Sequence, residues 1–289
     1  MLISNIYKLI MSLYMIKKKQ KEIINKFKVK SFIYPKIELR RIINFLKKYL
    51  IENKKVYSFV VGISGGQDST LVGKICQKSI EEFRGYKNKK KYKFIALNLP
   101  YGNQIDEEDC NESIKFIKPD EVLNINIKKI VDKNVREIRN KGIKITDNLK
   151  SNLKSRERMK IQYSIAYSNS GIVVGTNNAS EALTGFFTKH GDNGVDINPI
   201  IHLNKRQISL ILKSINCPKN LYNKIPMSGL SDIYPSLADE YELRVSYKDI
   251  DDYLEGKSIN PYSELLIEYM YEITKHKRSF PMNLTKFYK

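Results

Sequence analysis

Tyr57-Ser58-Phe59-Val60-Val61-Gly62-Ile63-Ser64-Gly65-Gly66-Gln67-Asp68-Ser69-Thr70 decides how the rest of the chain is read. Its first half is short, β-branched and nearly all apolar, the mark of a strand buried on both faces of a parallel sheet. A glycine loop follows at once. Beyond it Leu71, Val72, Ile75, Ile80 and Phe83 recur at helical spacing, so the unit is strand, tight loop, helix. Glycines permit close backbone approach and a helix start presents free N–H groups, so this loop is an anion cradle suited to polyphosphate.

Working outward, the same alternation recurs. Phe94–Leu99, Val122–Ile127 and Ile172–Gly175 are strand candidates, each followed by helical patterning, notably Leu149 to Tyr167. Repeated β-α units predict an α/β fold with a doubly wound parallel sheet, helices on both faces and ligands at the carboxyl ends of the strands. Upstream, Ile37, Leu39, Ile42, Ile43, Leu46 and Leu50 mark an amphipathic helix within an opening region that reads as helical to about Asn53. Downstream of Pro199 the reading is helical over Lys205–Ile215, Tyr247–Leu254 and Tyr262–Thr274, with a mobile loop from Pro226 to Pro235. The expected organisation is an N-terminal extension and basic segment over residues 1–36, then one domain over 37–289.

Composition narrows the function classes. At 289 residues with 42% hydrophobic content the chain can build a sizeable core. Every apolar run is broken well short of the ~20 residues a membrane-spanning helix needs. Residues 1–15 lack the basic start and cleavage pattern of a signal peptide and read as dispensable, Met15 being an equally good start. The formal charge of +20 invites a nucleic-acid partner. However, Lys, Ile and Asn are enriched together along the whole chain, and Lys17-Lys18-Lys19 and Lys89-Lys90-Lys91 fall where loops are expected, so solvated surface is the preferred reading. Cys76, Cys110 and Cys217, like His190, His202 and His276, have neither disulfide nor metal-ligand spacing, which fits a reducing, cytoplasmic setting.

The loop carries the chemistry. It matches neither G-x-x-x-x-G-K-[ST] nor G-x-G-x-x-G, so the commoner nucleotide fingerprints fail. Ser64 and Ser69 offer hydroxyls to pyrophosphate, and Asp68 would repel phosphate unless it held a magnesium ion. Ser-Gly-Gly-x-Asp-Ser directly after a buried strand resembles the loop of the ATP pyrophosphatases, which split ATP between its α and β phosphates.

The resemblance narrows to bacterial NAD synthetases, and it runs from about Ile37 to the C-terminus. It rests on VVGISGGQDST, LPYGNQIDEEDC, KSRERMKIQYSIA, EALTGFFTKHGD, DINPI, LNKRQ, IDDYLEGK and TKHKR, in that order. The family implies an adenine nucleotide alpha hydrolase-like, Rossmann-like fold and a homodimer. It implies an enzyme that uses ATP and Mg2+ to adenylate the carboxylate of deamido-NAD, after which ammonia displaces AMP. Carried over residue by residue, it places Gly62, Ile63, Ser64, Gly65, Gly66, Gln67, Asp68, Ser69, Thr176, Lys205 and Met227 at ATP. It puts Asp68 and Glu181 on the metal, and Arg156, Lys189, Asp196, His276 and Lys277 on deamido-NAD, with Asp68 and Lys189 catalytic. Arg156, Arg158 and Lys160 read equally as the solvated face of a long helix, and Lys205-Arg206 as the decoration of a helix start.

Departures from the pattern carry weight. The usual Asp-His after Thr176 is Asn177-Asn178, and Pro-Thr-Ala-Asp-Leu becomes Pro226-Met227-Ser228-Gly229-Leu230, so a thioether stands where a hydroxyl is expected. Two other functions therefore stay open: a degenerate nucleotide-binding homodimer without catalysis, and another ATP pyrophosphatase acting on tRNA. About fifty residues precede the first strand, too few for a glutamine-hydrolysing domain, so ammonia is the expected nitrogen source.

Overall fold

In the computed structural model, residues 18–87, 91–103 and 106–284 are described. The N-terminal stretch, Lys89-Lys90 and Gln104-Ile105 of the LPYGNQIDEEDC block lie outside them. A helix over residues 18–27 (α1) ends at Lys28, whose φ of 57° is left-handed. Pro35 then opens α2 (Pro35–Glu52), where a fixed φ and a missing N–H cost nothing. The opening region is thus two helices, and Lys18 and Lys19 lie in the first of them, not in a loop.

The sheet units follow: β1 (Ser58–Gly62), α3 (Gln67–Lys87), β2 (Lys93–Asn98), α4 (Glu107–Ile117), β3 (Glu121–Asn124), α5 (Lys128–Arg139), α6 (Asp147–Ser168) and β4 (Gly171–Val173). The rest is helical: α7 (Ala179–Thr184), α8 (Lys205–Ser214), α9 (Lys219–Tyr222), α10 (Asp239–Leu243), α11 (Tyr247–Leu254), α12 (Pro261–Ile273) and a 3-10 turn at Lys275–Lys277. Every strand expected from the apolar runs is present.

The four strands are all parallel, in the order β3-β2-β1-β4. Successive side chains point to opposite faces, so each strand feeds two cores. Phe59, Val61, Phe94, Ala96 and Ile172 pack beneath α2, α3, α4 and α8. Val60, Ile95, Leu97 and Val173 pack on the other face against Val131 and Val135 of α5 and Ala166 of α6. The doubly wound arrangement is therefore observed. A separate core joins Ile23 and Phe27 of α1 to Leu183 of α7, Tyr253 of α11, and Ile267 and Tyr271 of α12. Residues on both sides of position 36 thus share packed surface.

The strand order positions the site. The chain winds outward from β1 through β2 to β3, then returns to the far side of β1 as β4. The carboxyl ends of β1 and β4 flank a topological switch point, where a crevice opens between diverging connections.

Candidate active site

The glycine loop leaves β1 at this crevice. Gly65 has φ of 76°, and a Cβ there would come within 2.5 Å of the Cys110 backbone nitrogen. Only glycine lets the start of α4 press against the loop. The loop is also closed on itself. The Ser64 and Ser69 hydroxyls lie 3.1 Å apart, and the Ser64 N–H donates to Ser69 Oγ at 3.2 Å. Thr70 donates its hydroxyl to Gly66 O at 2.7 Å and lies 2.8 Å from the Ser113 hydroxyl, which ties the loop to α4.

A cavity of about 520 Å³ opens over the loop. Gly62, Ile63, Ser64, Gly66, Gln67, Asp68 and Ser69 form its floor, and Thr176, Glu181, Lys205, Met227 and Lys277 reach its walls. Gly65 faces α4 instead. Arg156, Lys189, Asp196 and His276 do not line it. Arg156 is exposed and donates through Nε to Lys189 O at 3.3 Å. Asp196, also exposed, accepts from the Val173 N–H at 2.7 Å, and exposed His276 sits in the 3-10 turn. The sequence-based site thus divides into a group inside the crevice and a group on the neighbouring surface.

Lys205 organises the inner group. Its ammonium donates to Asp68 Oδ2 at 2.5 Å and to Glu181 Oε1 at 2.8 Å, and its side chain is 8% exposed. Burial opposes the charge on Lys205, but Asp68 and Glu181 outweigh it and hold the ammonium well above its ordinary range. Burial pushes the Glu181 carboxyl up to about 7, Lys205 pulling it back and the Asp68 charge adding to the rise. One lysine thus serves two carboxylates. Among the described residues, no three His, Cys, Asp or Glu side chains gather closely enough to hold a metal by themselves.

Asn178 supplies what its position predicts for a helix start. Its side-chain oxygen accepts from the Glu181 N–H at 3.0 Å while Glu181 reaches back, a capping box on α7. The amide nitrogen is left free to donate to Asp68 Oδ1 at 2.9 Å. Asn177 donates to Asp192 Oδ2 at 3.1 Å, and its own side-chain oxygen is buried without a partner. The two asparagines are therefore built into the crevice, through donors that carboxylates at the same positions would lack.

Several wall residues have no site role in the sequence reading, which takes Arg158 only as part of a solvated helix face. Arg158 lines the cavity and donates through Nε to Leu99 O at 3.0 Å. Burial lowers its guanidinium to about 10. It, and not Arg156, is the arginine of α6 that lines the crevice, since two residues along a helix point to different faces. Asp239 and Asp192 are further carboxylates on the wall. The segment 226–231 closes one side, with both Met227 and Ser228 lining the cavity. Leu230 O accepts from Ser151 at 2.9 Å and from Lys154 at 2.7 Å, and Asp232 pairs with Lys150 and Lys154. This segment is seated on α6.

With this geometry in hand, comparison with known proteins is specific. The family model for NAD synthase matches residues 38–281. The NH(3)-dependent NAD(+) synthetase of Buchnera aphidicola subsp. Schizaphis graminum is 54% identical over 259 residues, which are 90% of this chain and 97% of that protein. The enzyme of the same description from Pectobacterium carotovorum subsp. carotovorum is 51% identical over 265 residues, 92% and 97% of the two chains. Among solved structures, the NAD+ synthetase of Burkholderia pseudomallei matches with a TM-score of 0.78 and 31% identity, covering 92% of this chain and 98% of that one. The NMN synthetase of Francisella tularensis matches with a TM-score of 0.77 and 30% identity, covering 87% and 99%.

Proposed function

The chain belongs to the NAD synthase family, and from that premise we propose that it converts deamido-NAD to NAD with ATP and ammonia. A carboxylate oxygen of the substrate attacks the α-phosphorus of ATP, the bond to the β-phosphate breaks, and pyrophosphate leaves. Ammonia then attacks the acyl carbon of the adenylate, the bond to AMP breaks, and a proton is lost to give the amide. The observation that carries this reading is the Ser64–Ser69 loop at the switch point with Asp68, Glu181 and Lys205 gathered over it.

In this reading the loop amides and the Ser64 and Ser69 hydroxyls receive the pyrophosphate, and Thr176 and Met227 border the nucleotide. Lys205 offsets the charge of the departing phosphates, as a fixed cation does best in a site that excludes water. Two hard carboxylates sharing one ammonium fit Mg2+, a hard cation that prefers oxygen ligands. Asp68 and Glu181 would hold that ion, which when bound supplies charge neutralisation on the phosphates. Arg156, Lys189, Asp196, His276 and Lys277 are assigned to deamido-NAD, with Lys189 stabilising charge on the reacting carboxylate. Lys277 Nζ is held by Gly185 O and Phe187 O, both at 2.9 Å, beside the half-buried Phe187 ring.

We further propose a cytoplasmic homodimer that needs neither nucleic acid nor membrane. No helix of the described residues is long and apolar enough to cross a bilayer. In such a dimer exposed Asp196, which accepts from the Tyr163 hydroxyl at 3.5 Å, would serve a site shared between two copies. Neither a non-catalytic dimer nor a tRNA-acting enzyme is favoured by the relatives. The decisive experiment supplies purified protein with deamido-NAD, ATP, Mg2+ and ammonium and quantifies NAD, AMP and pyrophosphate. Equal amounts of all three support the reading, and ATP binding without NAD formation overturns it. Sedimentation analysis tests the dimer.

A further inference from the structure

Asp239 opens α10 at the foot of the segment 226–238. Its N–H donates to Pro226 O at 3.0 Å, and Met227 bridges to Ala238, so the two ends of the segment meet beside it. The residue is 6% exposed and lines the crevice. One carboxylate oxygen, Oδ2, accepts from the Tyr247 hydroxyl at 3.1 Å. The other, Oδ1, is buried and has no hydrogen-bond partner. A buried polar atom left without a donor is unfavourable, so an unfilled acceptor on a cavity wall marks a place that another group takes.

Close by is Lys205, whose ammonium lies 5.3 Å from the centroid of the Tyr247 ring that holds Asp239. At present that ammonium stands between Asp68 and Glu181. A divalent cation taken by this pair would repel it and occupy its acceptors. Returned to nothing, a buried ammonium is strongly unfavourable. A free carboxylate oxygen beside the same tyrosine offers it a partner without re-entry into water.

We propose that Asp239 is a positioning residue that receives the Lys205 ammonium when a divalent cation enters between Asp68 and Glu181. Asp239 takes one of the three N–H bonds of the ammonium and leaves the others for phosphate. Because its own N–H closes the foot of the segment 226–238, occupation of the cation site is thereby linked to the seating of that segment over the crevice. The inference rests on the assignment of Asp68 and Glu181 to the cation.

The test uses Mn2+ as the probe, titrated by electron paramagnetic resonance into the whole chain with an ATP analogue bearing an α,β-methylene bridge, so that no turnover intervenes. Asp68→Asn is expected to lose Mn2+ binding. Asp239→Asn is expected to bind Mn2+ about tenfold more weakly, as loss of a supporting partner does. Hydrogen exchange over residues 226–239 should slow on Mn2+ addition in the unaltered protein and not in Asp239→Asn. Wild-type Mn2+ affinity in Asp239→Asn with binding lost in Asp68→Asn overturns the role of Asp239 while leaving the cation site standing. Unchanged binding in Asp68→Asn overturns both. Should Asp239→Asn not fold, the unaltered protein still decides: exchange over 226–239 indifferent to Mn2+ sinks the linkage.

Discussion

Asn178 donates its side-chain amide to Asp68 at 2.9 Å across 110 residues of sequence, while its oxygen caps the helix that carries Glu181. One side chain therefore orients both carboxylates over the phosphate loop. Replacing Asn178 with Ala removes a helix cap and a hydrogen bond to Asp68, and about 1–2 kcal/mol of stability is expected to go with the cap. Asn178→Asp keeps the cap but sets a second carboxylate against Asp68. Urea unfolding should rank the alanine variant as the less stable and the aspartate variant as nearer to the unaltered protein. Adenylation should fall in both. An aspartate variant with full adenylation activity would show that the amide contact is idle.

Asp68→Asn and Glu181→Gln are each expected to lower adenylation about 100-fold or more, because the pyrophosphate charge then goes uncompensated as it develops. Both variants should retain the fold, since Lys205 keeps one carboxylate partner in either case. Single-turnover AMP transfer at saturating Mg2+ is the measurement. Near-normal rates in both variants would remove the pair from the mechanism.

ATP should leave as AMP and pyrophosphate. The loop has no lysine of the kind that supports γ-phosphoryl transfer, and in the proposed reading its serine hydroxyls, 3.1 Å apart, receive the leaving pyrophosphate. Product analysis by ion-exchange chromatography settles the point, and ADP formed in step with NAD would contradict it.

Ammonium should support NAD formation, and ammonia-free glutamine should not. Cys76, Cys110 and Cys217 are all buried. Burial raises each thiol, Cys110 to about 11, Cys217 to about 12 and Cys76 further still. Thiolate therefore forms only as the pH climbs towards those values, so none is an activated nucleophile at neutral pH. Iodoacetamide at pH 8 is expected to leave the native protein unmodified and to label all three cysteines in urea. Rapid labelling of one thiol in the native protein, together with glutamine-dependent turnover, would reverse the assignment.

Asp232 latches the segment 226–238 to Lys150 and to the buried Lys154. Burial works to raise the Asp232 carboxyl, but hydrogen bonds from Lys150 and Lys154 overcome it and hold it below the ordinary carboxylate range. With the latched value depressed, the contact is fully present above the free value of 3.8 and is lost as pH falls through the lower one. Asp232→Ala should raise KM for ATP several-fold, about 3- to 10-fold on the scale of one charge-assisted contact, with a smaller change in kcat. Proteolysis within 226–238 should quicken in the same variant. An unchanged KM and cleavage rate would mean that the segment is held elsewhere.

The amino-acid sequence by itself determined the strands, the phosphate loop and most long helices, because each depends on neighbours in the chain. Val60 and Val61 are apolar on both faces wherever the strand is placed, and Gly65 permits the turn without reference to the rest of the molecule. Asn178-x-x-Glu181 and Asn204-x-x-Gln207 close as capping boxes in the structure, a local signal that the sequence reading passed over. Likeness to a known family pointed to Asp68, Glu181 and Lys205, but not to their arrangement. Lys205 meets Asp68 across 137 residues because β4 pairs with β1, which swings the chain after β4 back over the loop. Which arginine of α6 faces the cavity, why Asn178 suits Asp68, and the free oxygen of Asp239 likewise follow only from packing. Such contacts join distant segments, and nothing in the local spacing of either partner records the distance between them once the sheet has formed.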